Sequence, residues 1–371
     1  MKTLSDLSDR LLLHILVFLD TKQAVQTCII SRRWKNLWKT LPTLILSSKR
    51  FDNEWDFDEF ISNILSLRDS STALHSLDIV RDGDGDCTMN HQLLRRIVKY
   101  AVSHHVQQLR INVDCDIRHL PSFFFSCQTL TSLQLCFRFY PRRTIFPTSL
   151  DFPALTNLSL QGIIFCVDDH DRVDPFSKLN KLNSLYLNTC IVDDSQQSLC
   201  ISSATLAQLK IHTDFKYAYM KFHLSTPSLC TFDYSGTPLQ KLCESGSMSN
   251  LSSVKHVNVD VPSISYDENT PSVLLNWLIE LTNIESLRIS VNTLEVLSLV
   301  PDLLKVEFPS LYNLKSLNVW NYSTSSVPED IVDFLLQNAP SAKVTSYDEL
   351  RKLKETMAKL TQLQNGMKSE S

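Results

Sequence analysis

Apolar side chains are concentrated near the start of the chain. From Leu11 to Leu19 every residue except His14 is apolar. A helix that is apolar around its circumference must be buried on most sides, and this run is far shorter than the roughly 20 residues that cross a bilayer. Because a helix at this position has few neighbours in its own chain, the pattern predicts that one face packs internally and the other binds a second protein.

The flanking residues predict how this helix begins and which helices follow it. Ser8 or Asp9 is expected to cap the first helix with a side-chain oxygen, and Thr21 is expected to cap a second helix. Trp34 and Trp38 are four residues apart, so they are expected to share one face of a third helix and to form an apolar plate there. The first forty residues therefore predict three short, packed helices.

A second pattern, apolar-x-x-apolar-x-apolar, recurs through the rest of the chain. Its eleven copies begin at Leu41, Leu74, Val106, Leu130, Leu155, Leu182, Leu206, Leu229, Val254, Ile284 and Leu314, at spacings of 23 to 33 residues. Most spacings fall within the range of leucine-rich repeats, about 20–29 residues. Each copy predicts a short strand whose alternate side chains enter a shared core, and stacked copies predict a solenoid with a parallel sheet.

The longer spacings predict helical connections between these strands. Apolar residues recur there at steps of three and four, over residues 57–67, 90–102, 271–281 and 328–337. An ordinary α/β domain is the alternative, but it does not account for eleven copies of one hexamer. The predicted fold class is therefore α/β, with three N-terminal helices followed by an irregular leucine-rich-repeat solenoid, a parallel-sheet horseshoe.

The composition narrows the possible partners and compartments. Among 371 residues, 36 basic and 40 acidic side chains give a net charge of −4, which argues against a nucleic acid or an anionic membrane as the main partner. No apolar run reaches transmembrane length.

No two of the ten cysteines are separated by two residues, so neither a zinc knuckle nor a redox pair is predicted. Cysteines within apolar runs favour a reducing compartment, the cytoplasm, the nucleus or both.

The sequence lacks the motifs of an active site. Asp82–Asp86 resembles a calcium loop, but Cys87 and Leu93 stand where an EF-hand needs glycine and glutamate. Only 6 glycines are present, which leaves little material for phosphate-binding loops. No combination of nucleophile, base and oxyanion hole is evident. We therefore expect a protein that is not an enzyme and that needs no metal or cofactor.

The N-terminal helices carry a family resemblance. The relevant residues are Leu7-x-x-x-Leu11-Leu12-x-x-Ile15-Leu16-x-Phe18-Leu19, then Ala24-Val25, then Ser31-x-Arg33-Trp34-x-Asn36-Leu37-Trp38. Residues 4–46 resemble an F-box, the three-helix module that binds the Skp-family adaptor of a cullin-type ubiquitin ligase, and are especially similar to plant F-box proteins with leucine-rich repeats. Such proteins usually have Leu-Pro where this chain has Leu7-Ser8. Serine lacks the rigid ring of proline, which predicts weaker adaptor binding.

The resemblance implies which residues meet the adaptor. The expected adaptor-binding residues are Leu7, Ser8, Leu11, Leu12, Ile15, Leu16, Leu19, Trp34 and Trp38. A signal peptide and a purely intramolecular helical bundle are the alternatives. Lys2 is the sole positive charge in the first nine residues and no small-residue cleavage site follows the apolar run, which argues against a signal peptide.

The resemblance also suggests a domain plan. Residues 1–40 form the F-box and residues 41–347 the solenoid. Within the solenoid, residues 308–347 loosely resemble the C-terminal FBD region of plant F-box proteins and are expected to act as a cap. Residues 348–371 form a polar tail.

The resemblance implies the function of a substrate-recognition adaptor in an SCF-type ubiquitin ligase. The F-box would bind the Skp-family adaptor, and through it a cullin, while the repeats would bind an unidentified protein target. A leucine-rich-repeat scaffold or inhibitor without a ligase is the alternative, and a secreted recognition protein is a remote third.

Target binding is expected on the strand side chains that point away from the core. The candidates are Arg110, Tyr186, Asn188, Lys210, His212, Arg288 and Trp320. Tyrosine, tryptophan and arginine are the residue types that most often dominate protein interfaces. The alternative is that these are ordinary solvated sheet residues.

Overall fold

A small helical module precedes a long series of parallel strands in the computed structural model. The structure describes residues 7–81, 89–115, 117–137, 145–146, 150–165, 173–192, 198–213, 220–243, 251–262, 268–301, 303, 311–320 and 328–346. The chain divides into two compact units, residues 1–197 and 198–371. The predicted fold class is confirmed, because the N-terminal helical module is followed by parallel strands at the predicted hexamers.

The helical module contains two α-helices and two 3-10 segments. They are α1 (Asp9–Leu16), α2 (Thr21–Gln26) and the 3-10 segments Thr27–Ile29 and Trp34–Thr40. The predicted third helix is present at Trp34–Thr40, and it is a 3-10 helix. With three residues per turn Leu37 aligns with Trp34, and the tighter winding buries Trp34, Leu37 and Trp38 together.

The start of α1 differs from the predicted cap. Ser8 occupies the N-cap position, but its hydroxyl accepts no capping hydrogen bond. Its carbonyl oxygen instead accepts hydrogen bonds from the N–H groups of Leu11 and Leu12, each at 3.0 Å. Asp9 lies in the first turn and forms an ion pair with Arg33 at 2.6 Å. The negative charge of Asp9 stabilises the positive end of the helix dipole without acting as a cap.

The cap of α2 is also not the predicted residue. Asp20 caps the helix, because its carboxylate accepts a hydrogen bond from the N–H of Gln23 at 2.7 Å. Thr21 is the first helical residue and is buried. Its hydroxyl oxygen accepts a hydrogen bond from the N–H of Ile45 at 2.9 Å. Thr21 therefore joins the helical module to the first strand instead of capping α2.

Residues 43–192 contain the strands of the first unit. They are β1 (Thr43–Ser47), β2 (Ser76–Val80), β3 (Gln108–Val113), β4 (Ser132–Phe137), β5 (Ile145–Phe146), β6 (Asn157–Gln161), β7 (Ile164–Phe165), β8 (Ser184–Asn188) and β9 (Ile191–Val192). Its longer helices are α3 (Glu54–Leu67) and α4 (His91–Ser103), and its short 3-10 segments are Ser48–Arg50, Ile117–His119 and Ser122–Ser126.

The main sheet of the first unit follows the predicted hexamers. Its strands pair in parallel in the order β1-β2-β3-β4-β6-β8, while β5, β7 and β9 form a separate sheet. The second apolar residue of each hexamer is buried and aligned with its neighbours, a row formed by Leu44, Leu77, Leu109, Leu133, Leu158 and Leu185. This row of buried side chains belongs to a core that is shared between repeats and that no single repeat could form alone.

The second unit repeats this arrangement. Its strands are β10 (Leu199–Ser202), β11 (Gln208–His212), β12 (Phe222–Ser225), β13 (Thr231–Ser235), β14 (His256–Asp260), β15 (Ser286–Ser290), β16 (Ser316–Trp320) and β17 (Lys343–Ser346). Its helices are α5 (Thr270–Glu280), α6 (Val291–Ser298) and α7 (Glu329–Gln337). The main sheet has the order β11-β13-β14-β15-β16-β17, all parallel, and β10 pairs with β12.

A recurring backbone hydrogen bond sets the register between repeats. The carbonyl oxygen of Gln107 accepts from the N–H groups of Thr131 at 2.8 Å and Ser132 at 3.1 Å, where the next strand begins. We call this pattern, in which one carbonyl oxygen accepts from two successive N–H groups, double acceptance. It also occurs at the carbonyl oxygens of Pro42, His75, Thr131, Thr156, Ala207, Cys230, Lys255 and Glu285. These bonds satisfy backbone groups at each strand start and hold successive repeats in step.

Several predicted features lie outside the described residues. They include the acidic stretch Asp82–Asp86, the polar tail 348–371 and parts of the cap at 308–347. None of the helices in the described part of the chain has the length and apolarity that membrane crossing requires.

Candidate functional site

The first candidate surface is an apolar patch on α1. Leu11 and Ile15 lie on the exposed side of the helix, and Phe18 lies in the turn that follows the end of α1. Their exposed fractions are 51%, 38% and 78%. Leu11 and Ile15 are four residues apart, which places them on one side of α1. These two residues and Phe18 are called the α1 patch below. Contiguous exposed apolar side chains of this kind mark protein interfaces.

The structure separates the predicted adaptor-binding residues into two groups. Leu12, Leu16, Trp34 and Trp38 are buried within the helical module. The sequence left open which members of the predicted set are contact residues and which are core residues, and the structure places these four in the core. Adaptor binding by the set stays a prediction. The four buried side chains support the exposed side of α1. Leu7 and Leu19 are partly exposed and Ser8 is exposed, as are Leu11 and Ile15.

Three exposed apolar residues were missing from the predicted site. Phe18 was detectable, since it continues the spacing of Leu11 and Ile15, and its ring meets the His14 ring edge-on at 5.4 Å. Ile29 and Ile30 are also exposed, at the end of the first 3-10 segment. No periodic signal distinguished these two from core residues.

The helical module is attached to the first repeat by polar contacts at the start of α2. The Asp20 carboxylate forms an ion pair with Arg50 at 2.6 Å. The ammonium group of Lys22 lies 3.9 Å from the centroid of the Phe51 ring. Together with the Thr21 hydrogen bond to β1, these contacts fix the orientation of the module relative to the strand that follows it.

The second candidate surface is formed by strand side chains that face away from the core. We call it the exposed strand face and define it by the residue between the second and third apolar positions of each hexamer. In the first unit these residues are Asp78, Arg110, Gln134, Ser159 and Tyr186, and in the second Lys210, Asp233, Asn258, Arg288 and Asn318. None of them is buried, as the alternation of the strands requires.

In the first unit the charges of this face form a pair. Arg110 contacts the Asp78 carboxylate of the neighbouring strand at 3.5 Å. Burial raises the pKa of Asp78, and the Arg110 guanidinium opposes that rise. Tyr186 and Asn188 lie three strands from Arg110, a distance of about 14 Å at ordinary strand spacing. The structure therefore does not bring Arg110 together with the other two predicted residues.

In the second unit Lys210 is also paired. Its ammonium group lies 3.3 Å from the Asp233 carboxylate, which further accepts a hydrogen bond from the Asn258 amide at 2.8 Å. His212 is partly exposed at the end of the same strand as Lys210. Tyr186 and Asn188 belong to the first unit and Lys210 and His212 to the second, so a shared target-binding role of these residues stays a prediction.

Trp320 is placed differently from the prediction. Only 5% of it is exposed, so its expected role as an exposed contact is wrong. The Arg288 guanidinium carbon lies 5.3 Å from the Trp320 ring centroid, and Arg288 itself is exposed. Trp320 thus supports Arg288, because an aromatic face attracts and orients a guanidinium group.

The described residues contain no cluster of three or more histidine, cysteine, aspartate or glutamate side chains that could hold a metal ion. Both candidate surfaces are made of strand and helix side chains suited to contact with another protein.

Comparison with known proteins identifies the family. The family model described as FBD-associated F-box protein At5g56370, LRR repeats, matches residues 94–316, and the F-box domain model matches residues 4–46. The chain belongs to the family of FBD-associated F-box proteins with leucine-rich repeats. Its F-box and its repeats make it a protein-interaction adaptor, and the family is of a non-enzymatic type.

Similar proteins occur in Arabidopsis thaliana. The chain is 26% identical to the F-box/FBD/LRR-repeat protein At1g80470 over 79% of its own length and 62% of that protein. It is 27% identical to the F-box/LRR-repeat protein At4g14103 over 94% of this chain and 91% of that protein. It is also 27% identical to F-box/LRR-repeat protein 13 over 79% of this chain and 66% of that protein.

Proposed function

We propose that this F-box/LRR protein is the substrate-recognition adaptor of an SCF-type ubiquitin ligase. The observation that carries the proposal is the α1 patch, an exposed apolar surface within the residues that match an F-box. The buried residues beneath it hold the patch in place, so it can bind without rearranging the module. Its partner is a Skp-family adaptor, which links the chain to a cullin.

The repeats supply the second half of this function. A protein target bound to the exposed strand face would be held near the conjugating enzyme, which raises its effective concentration there. The chain needs no catalytic group for this role. The free thiols among its described cysteines suit a reducing compartment, and we propose that it acts in the cytoplasm, the nucleus or both.

Adaptor binding is tested with purified full-length chain and a purified Skp-family adaptor. Leu11→Asp and Ile15→Asp place a charge in the α1 patch, which costs free energy wherever the patch is desolvated by a partner. We expect each variant to weaken binding by about 30-fold or more, the effect of an interface hot spot. Isothermal titration calorimetry measures the affinity.

The matched control is Leu67→Asp. Leu67 lies on α3 outside the F-box and is 55% exposed, close to the exposure of Leu11. This variant introduces the same charge on the same residue type, so it should bind the adaptor as the wild type does. Undiminished binding of both patch variants, or equal loss in the control, contradicts the proposal and favours a scaffold without a ligase.

The ligase connection is tested separately with a cullin. The full-length chain should retain a cullin on an affinity resin when the adaptor is present and lose it when the adaptor is left out. Retention that does not depend on the adaptor would contradict the assembly order.

A further inference from the structure

Arg288 differs from the other charged residues of the exposed strand face. Arg110 is paired with Asp78 and Lys210 with Asp233. Arg288 is exposed on β15 and forms no ion pair with any residue that the structure describes. An exposed cation without a carboxylate in contact retains its full capacity to bind an anion.

The residues next to Arg288 on the neighbouring strands leave its charge without an ion pair. On the adjacent strands its partners in register are Asn258 and Asn318, both neutral. Asp260 lies two residues beyond Asn258 on β14, and it accepts a hydrogen bond from the Ser235 hydroxyl of β13 at 3.3 Å. That bond draws Asp260 toward β13, whereas Arg288 leans over Trp320 of β16. The side chains of Asp260 and Arg288 therefore lean toward different strands, Asp260 toward β13 and Arg288 toward β16.

Trp320 also orders the guanidinium group. A long exposed side chain normally loses rotamer freedom when it binds, and this loss reduces affinity. Stacking on a buried ring removes part of that freedom in advance. The planar guanidinium remains able to present two parallel N–H groups, the geometry that matches a carboxylate.

We propose that Arg288 binds the carboxylate of an aspartate or glutamate side chain in an acidic segment of the target protein. The inference rests on the proposed target-binding role of the exposed strand face and names the chemistry that this face recognises. Charge complementarity supports it, because Arg288 forms no ion pair with a described residue and its register partners are the neutral amides Asn258 and Asn318.

The experiment uses the immobilised full-length chain and synthetic peptide pools. The pools share randomised neutral flanks and differ only in a fixed central residue, which is glutamate, glutamine or phosphoserine. All peptides are amidated at the C-terminus, and a further glutamine pool carries a free C-terminal carboxylate. Mass spectrometry measures the amount retained from each pool.

We expect the glutamate pool to be retained about tenfold better than the amidated glutamine pool, a difference of about 1.4 kcal/mol. Arg288→Gln should abolish this preference. Arg288→Lys should keep only a small part of it, since lysine retains the charge but not the planar fork. Arg110→Gln is the matched control, because it removes an arginine that is already paired, and it should leave the preference unchanged.

Several results would overturn the inference. They are equal retention of all pools, a preference that survives Arg288→Gln, and loss of the preference in the Arg110→Gln control. Retention of only the phosphoserine pool would assign the site to phosphate, and retention of only the free carboxylate pool would assign it to a chain terminus. Circular dichroism of each variant must match the wild type for the comparison to count.

Adaptor binding distinguishes failure of this inference from failure of the proposed function. Arg288 lies outside the residues matched by the F-box domain model, so Arg288→Gln should bind the Skp-family adaptor with unchanged affinity. A chain that binds the adaptor but shows no preference for glutamate refutes the inference alone. A chain that prefers glutamate but fails to bind the adaptor refutes the ligase role alone.

Discussion

At the scale of single residues, Glu285 shows how charge contributes to the repeat array. Its carboxylate oxygens meet Lys255 of the preceding repeat at 3.0 Å and Lys315 of the following repeat at 2.6 Å. The hydrogen bond from Lys315, followed by that from Lys255, lowers the pKa of Glu285 to about 2. Glu285 therefore links three successive repeats only while it is ionised.

A pH dependence of stability follows from this shift. An acid whose pKa is lower in the folded state stabilises the fold above its unfolded pKa, here near 4.5, and loses that contribution as pH falls toward about 2. Glu285→Gln should lower the urea midpoint at pH 7, and its difference from the wild type should shrink below about pH 4.5. Urea titrations of the wild type and the variant at several pH values measure the midpoint at pH 7 and the change of the difference with pH.

The control for this prediction is Glu295→Gln. Glu295 is on α6 and forms no ion pair with a described residue, so its replacement should change the midpoint little at any pH. High salt should reduce the Glu285 effect, because exposed charges are screened. A Glu285→Gln effect that persists unchanged down to pH 3 would show that the ion pairs do not cause it.

At the scale of elements, Arg68 joins the end of α3 to three other segments. It is buried, and its guanidinium donates to the carbonyl oxygens of Leu41 at 2.8 Å, Thr72 at 2.9 Å and Ala73 at 3.1 Å. It also donates to the hydroxyl of Tyr100 on α4 at 3.0 Å. One side chain thus connects the segments that lead into β1 and β2 with two helices of the first unit.

Arg68→Lys should destabilise the chain, although it keeps the charge. The lysine ammonium cannot reach these acceptors together, and each buried carbonyl left without a partner costs about 1–3 kcal/mol. We expect a loss of about 2 kcal/mol or more in the free energy of unfolding, measured by chemical denaturation.

Arg96→Lys provides the comparison on the neighbouring helix. Arg96 is exposed on α4 and donates to the Ser62 hydroxyl at 3.4 Å, so its replacement should stay within about 0.5 kcal/mol of the wild type. Equal stabilities of the two variants would mean that the Arg68 hydrogen bonds contribute little.

At the scale of the whole molecule, the open prediction is that residues 41–347 form one continuous array. Within each unit the strands follow the same hexamer, pair in parallel and show the same double acceptance at the strand starts. Limited proteolysis of the full chain should therefore cut first at Asp82–Asp86 and after Glu349, and it should leave most of the array intact. Mass spectrometry of the fragments identifies the sites. Recovery of two stable, separable halves at residues 197–198 would count against a continuous solenoid.

The repeats could be predicted from sequence because burial alternates along a strand. Each of the eleven hexamers became a strand with its apolar positions buried, since two inward side chains per strand leave a direct trace in the sequence. The four expected helices also formed, within a few residues of their predicted bounds. These features depend on local periodicity, which the chain carries in itself.

The elements that were missed depend on neighbours. The strands β5, β7 and β9 are two residues long and are defined by pairing with each other. Two residues are too few to show an alternating apolar pattern, so the sequence gives no signal for these strands. β17 is recognisable as a strand through its pairing with β16. The helix α6 begins directly after β15, where the Ser290 hydroxyl accepts a hydrogen bond from the N–H of Thr293. No intervening turn residues separate the helix from the strand, so the sequence does not mark its start.

The sequence by itself determined the α/β class, the repeat and the presence of an apolar N-terminal helix with more hydrophobic surface than the module can bury. Only the tertiary structure decided that Leu12 and Leu16 face inward while Leu11 and Ile15 face outward. It also decided that Trp320 lies beneath Arg288 instead of beside it as a second contact. The physical reason is the same in both cases. A side chain's own chemistry sets whether burial is favourable, but the positions of its neighbours set whether burial occurs.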